Sequence, residues 1–135
     1  MKNYLVRELR DMSGLTQKAF AEHFDIPLST LQKWEHRTSS PPRYVINMIA
    51  NSLPGTDKQN KKYICKDGTV FYWNPFKNTV SDSIGNSIKI REDLSDIKEQ
   101  NLKIYLRDLF DKYYEIRKRF EMDCEYDRKE DFLWS

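Results

Sequence analysis

Apolar residues recur at helical spacing through the first fifty positions, switch to short strand-like runs, and return to a helical period near residue 95. Leu5, Val6 and Leu9 mark one face of a first helix over 4–12, which Ser13-Gly14 stops. Thr16 is placed to cap a second helix whose inner side carries Ala19, Phe20 and Phe24. Asp25 occupies the turn that follows, where left-handed backbone is needed and Asp tolerates it better than most residues. Ile26 plugs that turn into the core. Pro27 opens a third helix, where its fixed φ and missing N–H are harmless, and Leu31 and Trp34 point inward from it. Pro41-Pro42 end the next loop and start a fourth helix with Val45, Ile46, Ile49 and Leu53 on its inner side.

Pro54 to Lys62 reads as a polar linker. Beyond it, Tyr63-Ile64-Cys65 and Thr69 to Trp73 flank Asp67-Gly68, a two-residue hairpin signal. Asn74 to Asn78 is a second turn. Thr79 to Ile84 and Ser87 to Ile90 flank Gly85-Asn86, so a small antiparallel meander of three or four strands is predicted. Ser95 is placed as the N-cap of a long helix running to about Tyr126, with Asp96 and Glu99 near its positive end and no Gly or Pro inside. At 1.5 Å per residue that helix would be roughly 48 Å long. Leu102, Leu106, Leu109, Tyr113, Ile116 and Phe120 repeat every four and three residues, a heptad seam offered as a dimer or partner interface. The predicted fold class is α+β: a four-helix bundle, then a small β-meander, then one long C-terminal α-helix. The predicted division is residues 1–53, a linker at 54–62, and a dimerisation or partner-binding domain at 63–135.

Two short amphipathic helices across a tight turn, the second with a polar outer face, form a helix-turn-helix reader, and the target that arrangement suits is DNA. With Leu31 and Trp34 turned inward, the third helix presents Leu28, Ser29, Gln32 and Lys33 to a major groove. Leu28 suits a thymine methyl, Ser29 donates or accepts, Gln32 suits adenine, and Lys33 suits guanine or a phosphate. Thr16 and Gln17 lie at the start of the second helix, where the Gln17 amide and free backbone N–H groups can clamp a phosphate. His36, Arg37, Thr38, Ser39, Ser40 and Arg43 follow the reading helix and are expected along the DNA backbone.

The combination of Leu9-Arg10, Gly14-Leu15-Thr16-Gln17, Ala21, Phe24, Ile26, Thr30-Leu31, Trp34-Glu35 and Pro41-Pro42 makes residues 1–53 similar to the Xre (Cro/CI-type) family of phage and bacterial repressors. The resemblance covers about 40% of the chain. It implies four or five helices, action on double-stranded DNA as a dimer at an inverted-repeat operator, Gln17 on a phosphate, and Leu28, Ser29 and Lys33 at base-reading positions. It also places Arg10 to pair with Glu35, a structural link between the first and third helices. One departure stands out. The family usually has Gly where this chain has Arg37; a left-handed Arg costs on the order of 1 kcal/mol, so the loop is expected to leave the helix differently. Thr38-Ser39-Ser40 replaces a segment often rich in Lys or Arg, which implies a shallower salt dependence. A fifth helix is not seen in the sequence, and residues 57–135 resemble no family.

The chain has 135 residues and a net charge of +2. Residues 1–56 hold 7 cationic and 5 anionic side chains, residues 57–119 hold 14 and 10, and residues 120–135 hold 2 and 6. A basic body with an acidic end fits DNA contact on one surface. Apolar stretches are far too short to span a bilayer, and the first residues lack the succession of a signal peptide, so the expected location is cytoplasmic. Cys65 and Cys124 form no Cys-x-x-Cys and neither His23 nor His36 stands at ligand spacing from them; no metal or cofactor is expected. Residues 57–135 contain no His and no nucleophile motif, so an enzyme is not expected. Two functions remain. The first is a dimeric, autoregulatory transcriptional repressor of phage or mobile-element type. The second is a two-part, anti-CRISPR-like protein whose C-terminal part binds and inhibits another macromolecule, a protein partner meeting its aromatic residues, or the acidic stretch Glu121 to Asp131 mimicking nucleic acid or engaging a basic groove.

Overall fold

The structure, a computed structural model, describes residues 4–134, with side chains through Arg128. The side chains of Glu130 and Asp131 in the acidic stretch therefore lie outside the described residues. The element order is α1 (Val6–Ser13), α2 (Gln17–His23), α3 (Leu28–Glu35), α4 (Arg43–Ser52), a single 3-10 turn (Pro54–Thr56), β1 (Lys61–Ile64), β2 (Val70–Asn74), β3 (Thr79–Asp82), β4 (Ser87–Lys89) and α5 (Glu99–Trp134). This is the expected α+β class. The chain divides into two compact units, Met1–Asp96 and Ile97–Ser135.

The helical core of the first unit is Val6, Leu9, Phe20, Ala21, Leu31, Ile49, Ala50 and Leu53, with Phe24, Ile26, Trp34, Val45 and Ile46 packed against it. These are the i, i+3, i+4 positions of four short helices, and burying them is what holds each helix together. At 7 to 10 residues each, none would persist alone in water. Leu5 does not join its predicted face: it is exposed, because it stands just before the first turn of α1, where its backbone N–H donates to the Glu8 carboxylate at 3.3 Å.

The sheet is a four-stranded antiparallel meander in the order β1-β2-β3-β4. In β2, Phe71 and Trp73 point to one face and Tyr72 to the other, and all three are buried. Trp73 lies opposite Lys61 and Val80, with the Lys61 Nζ 5.2 Å from the ring centre and the indole N–H donating to Asn78 Oδ1 at 3.0 Å. Burial raises the Tyr72 phenol above its ordinary pKa. The Asp67-Gly68 turn is not the expected two-residue type. Cys65 N–H donates to Thr69 O across three residues, and only Gly68 has positive φ, at +89°. A two-residue type I′ turn needs positive φ at both central residues, and here Asp67 instead spends its carboxylate on the Thr69 N–H. Between β3 and β4, the buried Asp82 carboxylate accepts from Ile84 N–H, Asn86 N–H and the Asn86 amide, tying the Gly85-Asn86 loop to the strand end.

Residues 54–62, read from composition as a linker, are ordered by specific bonds. Thr56 Oγ1 donates to Ala50 O at 2.6 Å and Asn60 Nδ2 donates to Pro54 O at 3.0 Å. The helical bundle and the sheet meet through Ser83, whose hydroxyl donates to Ser13 O at 2.9 Å, at the carbonyl end of α1. No fifth helix follows α4 in the first unit; the chain goes from the 3-10 turn into β1.

The second unit is α5, 36 residues long. It begins at Glu99, four residues later than the predicted cap. Ser95 instead belongs to the turn before it, where its N–H and hydroxyl both donate to Asp93 Oδ1; the hydroxyl bond, then the backbone one, holds the Asp93 carboxyl below its usual range. Of the six seam residues, Leu102 and Leu106 are buried, Leu109 and Tyr113 half-buried, and Ile116 and Phe120 exposed. Among the described residues, no helix is long and apolar enough to cross a membrane.

Candidate nucleic-acid interface

The reading helix is positioned by the turn before it, its inner side and one ion pair. In the turn, Asp25 takes φ +55°, and two backbone bonds close the end of α2: Ile26 N–H to Ala21 O at 2.8 Å and Asp25 N–H to Glu22 O at 3.3 Å. That pair of bonds is a Schellman motif, with Ile26 as its hydrophobic anchor on the core. The tight angle between α2 and α3 is thus a helix stop written in Asp25-Ile26. Phe20, fully buried, packs against Phe24 with ring centres 4.7 Å apart and the rings tilted by 54°. Thr16 Oγ1 accepts from Ala19 N–H at 3.2 Å, capping α2.

Leu31 is fully buried on the inner side of α3 and Trp34 packs beside it. The far end of α3 is held by Arg10 and Glu35. The guanidinium of Arg10 donates through Nε and Nη2 to the Glu35 carboxylate at 2.9–3.1 Å, and through Nη1 to Leu15 O at 3.3 Å. The hydrogen bond to Glu35 raises the Arg10 pKa further above its already high value. One cation therefore joins α1, the α1–α2 loop and the end of α3. With rotation about the α3 axis removed, Leu28, Ser29, Gln32 and Lys33 all lie exposed on the outer side.

The backbone candidates fall into two groups. Gln17 is half-buried as the first residue of α2, while Thr16, His36, Arg37, Thr38, Ser40 and Arg43 are exposed. Thr38 is committed to the fold: its N–H and hydroxyl both donate to Lys33 O, at 3.0 and 3.2 Å. Arg37 corrects an expectation. The loop does not leave the helix differently; Arg37 takes the left-handed conformation itself, at φ +61°. Arg37 N–H donates to Trp34 O at 3.3 Å and Thr38 N–H to Lys33 O, a second Schellman motif with arginine in the position glycine usually holds. The two backbone bonds and the Thr38 hydroxyl bond to Lys33 O offset a strain on the order of 1 kcal/mol. Arg37→Gly is accordingly expected to raise stability by about 0.5–1 kcal/mol in urea denaturation, while a DNA titration of the same variant loses affinity if the guanidinium meets a phosphate.

Arg37 and Arg43 line one groove of about 770 Å³, together with Tyr4, Arg7, Trp34, Ser39, Ser40 and Asn47. Glu35 also lines it, but its carboxylate is taken by Arg10. Arg7 and Asn47 were not among the residues singled out from sequence. Arg7 is thirty residues from Arg37, and only the packing of α1 against the end of α3 brings the two to one groove. The available signal was its place on α1: one residue beyond the inward Val6, on the polar side.

Residues 6–56 match a family model described as Helix-turn-helix. No curated protein and no solved structure matches the chain. The match covers α1 to the 3-10 turn, the segment whose motif resembles the Xre type, and that segment is a helix-turn-helix domain.

Proposed function

We propose that this helix-turn-helix domain acts as the DNA reader of a dimeric, autoregulatory transcriptional repressor of phage or mobile-element type. Double-stranded DNA with an inverted repeat is the ligand. The observation that carries the reading is the outer side of α3: Leu28, Ser29, Gln32 and Lys33 are exposed together on a helix whose inner side is anchored by Leu31 and whose end is fixed by the Arg10–Glu35 pair. A rigid helix with outward hydrogen-bonding and apolar groups in its first turns is what reading base edges requires. The groove with Arg7, Arg37 and Arg43 extends the contact surface beyond α3 and supplies cations for phosphates without committing them to base recognition. Gln17, at the head of α2, is assigned to a phosphate on the other side of the reading helix.

Selection of bound sequences from a random duplex library by the full-length protein tests this. Convergence on an inverted repeat supports the proposal, and a pool without consensus overturns it. On the selected duplex, Lys33→Ala is expected to lose about 1–3 kcal/mol and to relax preference at one position, whereas Gln17→Ala weakens binding to selected and scrambled duplexes equally. Fluorescence anisotropy on the two duplexes separates these outcomes; equal losses for Lys33→Ala move that residue to the phosphate class.

A further inference from the structure

The distal half of α5 is charged in two blocks of opposite sign around an apolar centre. Residues 112–119 carry Lys112, Arg117, Lys118 and Arg119 against Glu115, a net +3; residues 121–127 carry Glu121, Asp123, Glu125 and Asp127 and no cation, a net −4. Between them stands Phe120, 66% exposed, one turn after Ile116, 62% exposed, with the half-buried Tyr113 and Cys124 on the same side. Apolar side chains of this size, in line and in water, mark an interaction surface. Part of the charge is already used within the helix: Arg117 pairs with Glu121 at 3.3 Å and Arg119 with Glu115 at 3.5 Å. Among the described residues, Lys112, Lys118, Asp123 and Asp127 make no ion pair.

We infer that this face is covered by the same face of a second copy of the chain, with the two α5 helices antiparallel and crossing at Phe120. In that arrangement residue i of one copy is level with residue 240 − i of the other. The basic block of each copy then lies along the acidic block of its partner. Phe120 meets Phe120, Ile116 comes level with Cys124, Arg117 with Asp123, and Tyr113 with Asp127, beside Lys112. A parallel pair in register sets basic on basic and acidic on acidic, and the flanking residues Lys112, Arg117 and Arg119 repel across the seam. An isologous antiparallel contact satisfies both blocks at once.

This inference deepens the dimeric part of the reading above and is tested on the full chain without DNA, so its failure leaves base reading by α3 untouched. Sedimentation equilibrium is expected to give a dimer, and Phe120→Glu to weaken it at least about tenfold while the far-ultraviolet circular dichroism stays that of the folded chain. Orientation is read from Ile116→Cys. Mild oxidation of that variant joins position 116 of one copy to Cys124 of the other in an antiparallel pair, and 116 to 116 in a parallel one; peptide mapping distinguishes them. A chain that stays monomeric at about 100 μM, a Phe120→Glu dimer as tight as the parent, or a 116–116 crosslink overturns the proposal.

Discussion

Arg10→Ala is expected to lower the stability of the first unit by about 3 kcal/mol, the largest effect of any single charge removal in the helical bundle. The reason lies in what remains. The Glu35 side chain is only 5% exposed, and in the parent it accepts from Nε and Nη2 of Arg10; Leu15 O also loses the donor it takes from Nη1. A carboxylate left in that position is largely desolvated and has lost its paired cation, and the cost of the desolvated charge exceeds what the pair itself contributes. Arg10 retains 17% exposure, which places the effect at the lower end of the range for buried pairs. Replacing both partners by apolar residues of similar volume, Arg10→Met with Glu35→Leu, is expected to recover most of the loss. Urea denaturation of the two variants decides it: a cost under 1 kcal/mol for Arg10→Ala means that the pair does not hold α3. DNA affinity of Arg10→Ala is expected to fall with stability, because the end of the reading helix is released.

Gly85→Ala is expected to cost about 3 kcal/mol, and Gly68→Ala about 1 kcal/mol. Both glycines have positive φ, +100° and +89°, so both substitutions carry the strain of an L side chain in that region. Only Gly85 adds a collision. A Cβ there would lie 2.5 Å from Ser52 O, a backbone atom at the end of α4, whereas nothing stands within 4 Å of a Cβ at Gly68. The difference between the two variants therefore measures the approach of the β3–β4 loop to the helical bundle. Equal costs in urea denaturation would mean that this approach contributes nothing to stability.

The parts of the fold that were legible in the sequence are those settled within a few residues. Thr16 caps α2 by a bond three residues away, Asp25 and Ile26 stop the same helix, and Leu31 lies on the side that helical spacing assigns to it. A meander of three or four strands follows from apolar runs separated by Asp, Asn and Gly, and the sheet has four. The turn types were less legible. Asp67-Gly68 has the composition of a two-residue hairpin, but Asp67 found a better use for its carboxylate and the loop took three residues. Ser95 has the chemistry of a helix cap, yet the nearby Asp93 captures both its donors, and α5 starts at Glu99. In each case the side chain could bond in two local ways, and composition does not rank them.

Arg37 shows the opposite error. Its left-handed strain is real, and the expectation that the chain would avoid it ignored the two bonds from Arg37 N–H and Thr38 N–H that reward it. For the site, the row Leu28, Ser29, Gln32 and Lys33 could be listed from periodicity alone, since removing the buried residues of a helix leaves its outer side. Arg7 could not, because nothing in its neighbourhood on α1 refers to a groove formed with Arg37 and Arg43.

By itself the sequence determined the helix-turn-helix: its stops, caps and apolar sides are local, and each agrees with the others, so no distant contact was needed to specify them. Tertiary structure alone decided that Ser83 holds the end of α1 and that Arg7 joins Arg37 and Arg43. Those outcomes depend on pairs of residues far apart in the chain, and such pairs leave no periodicity to read.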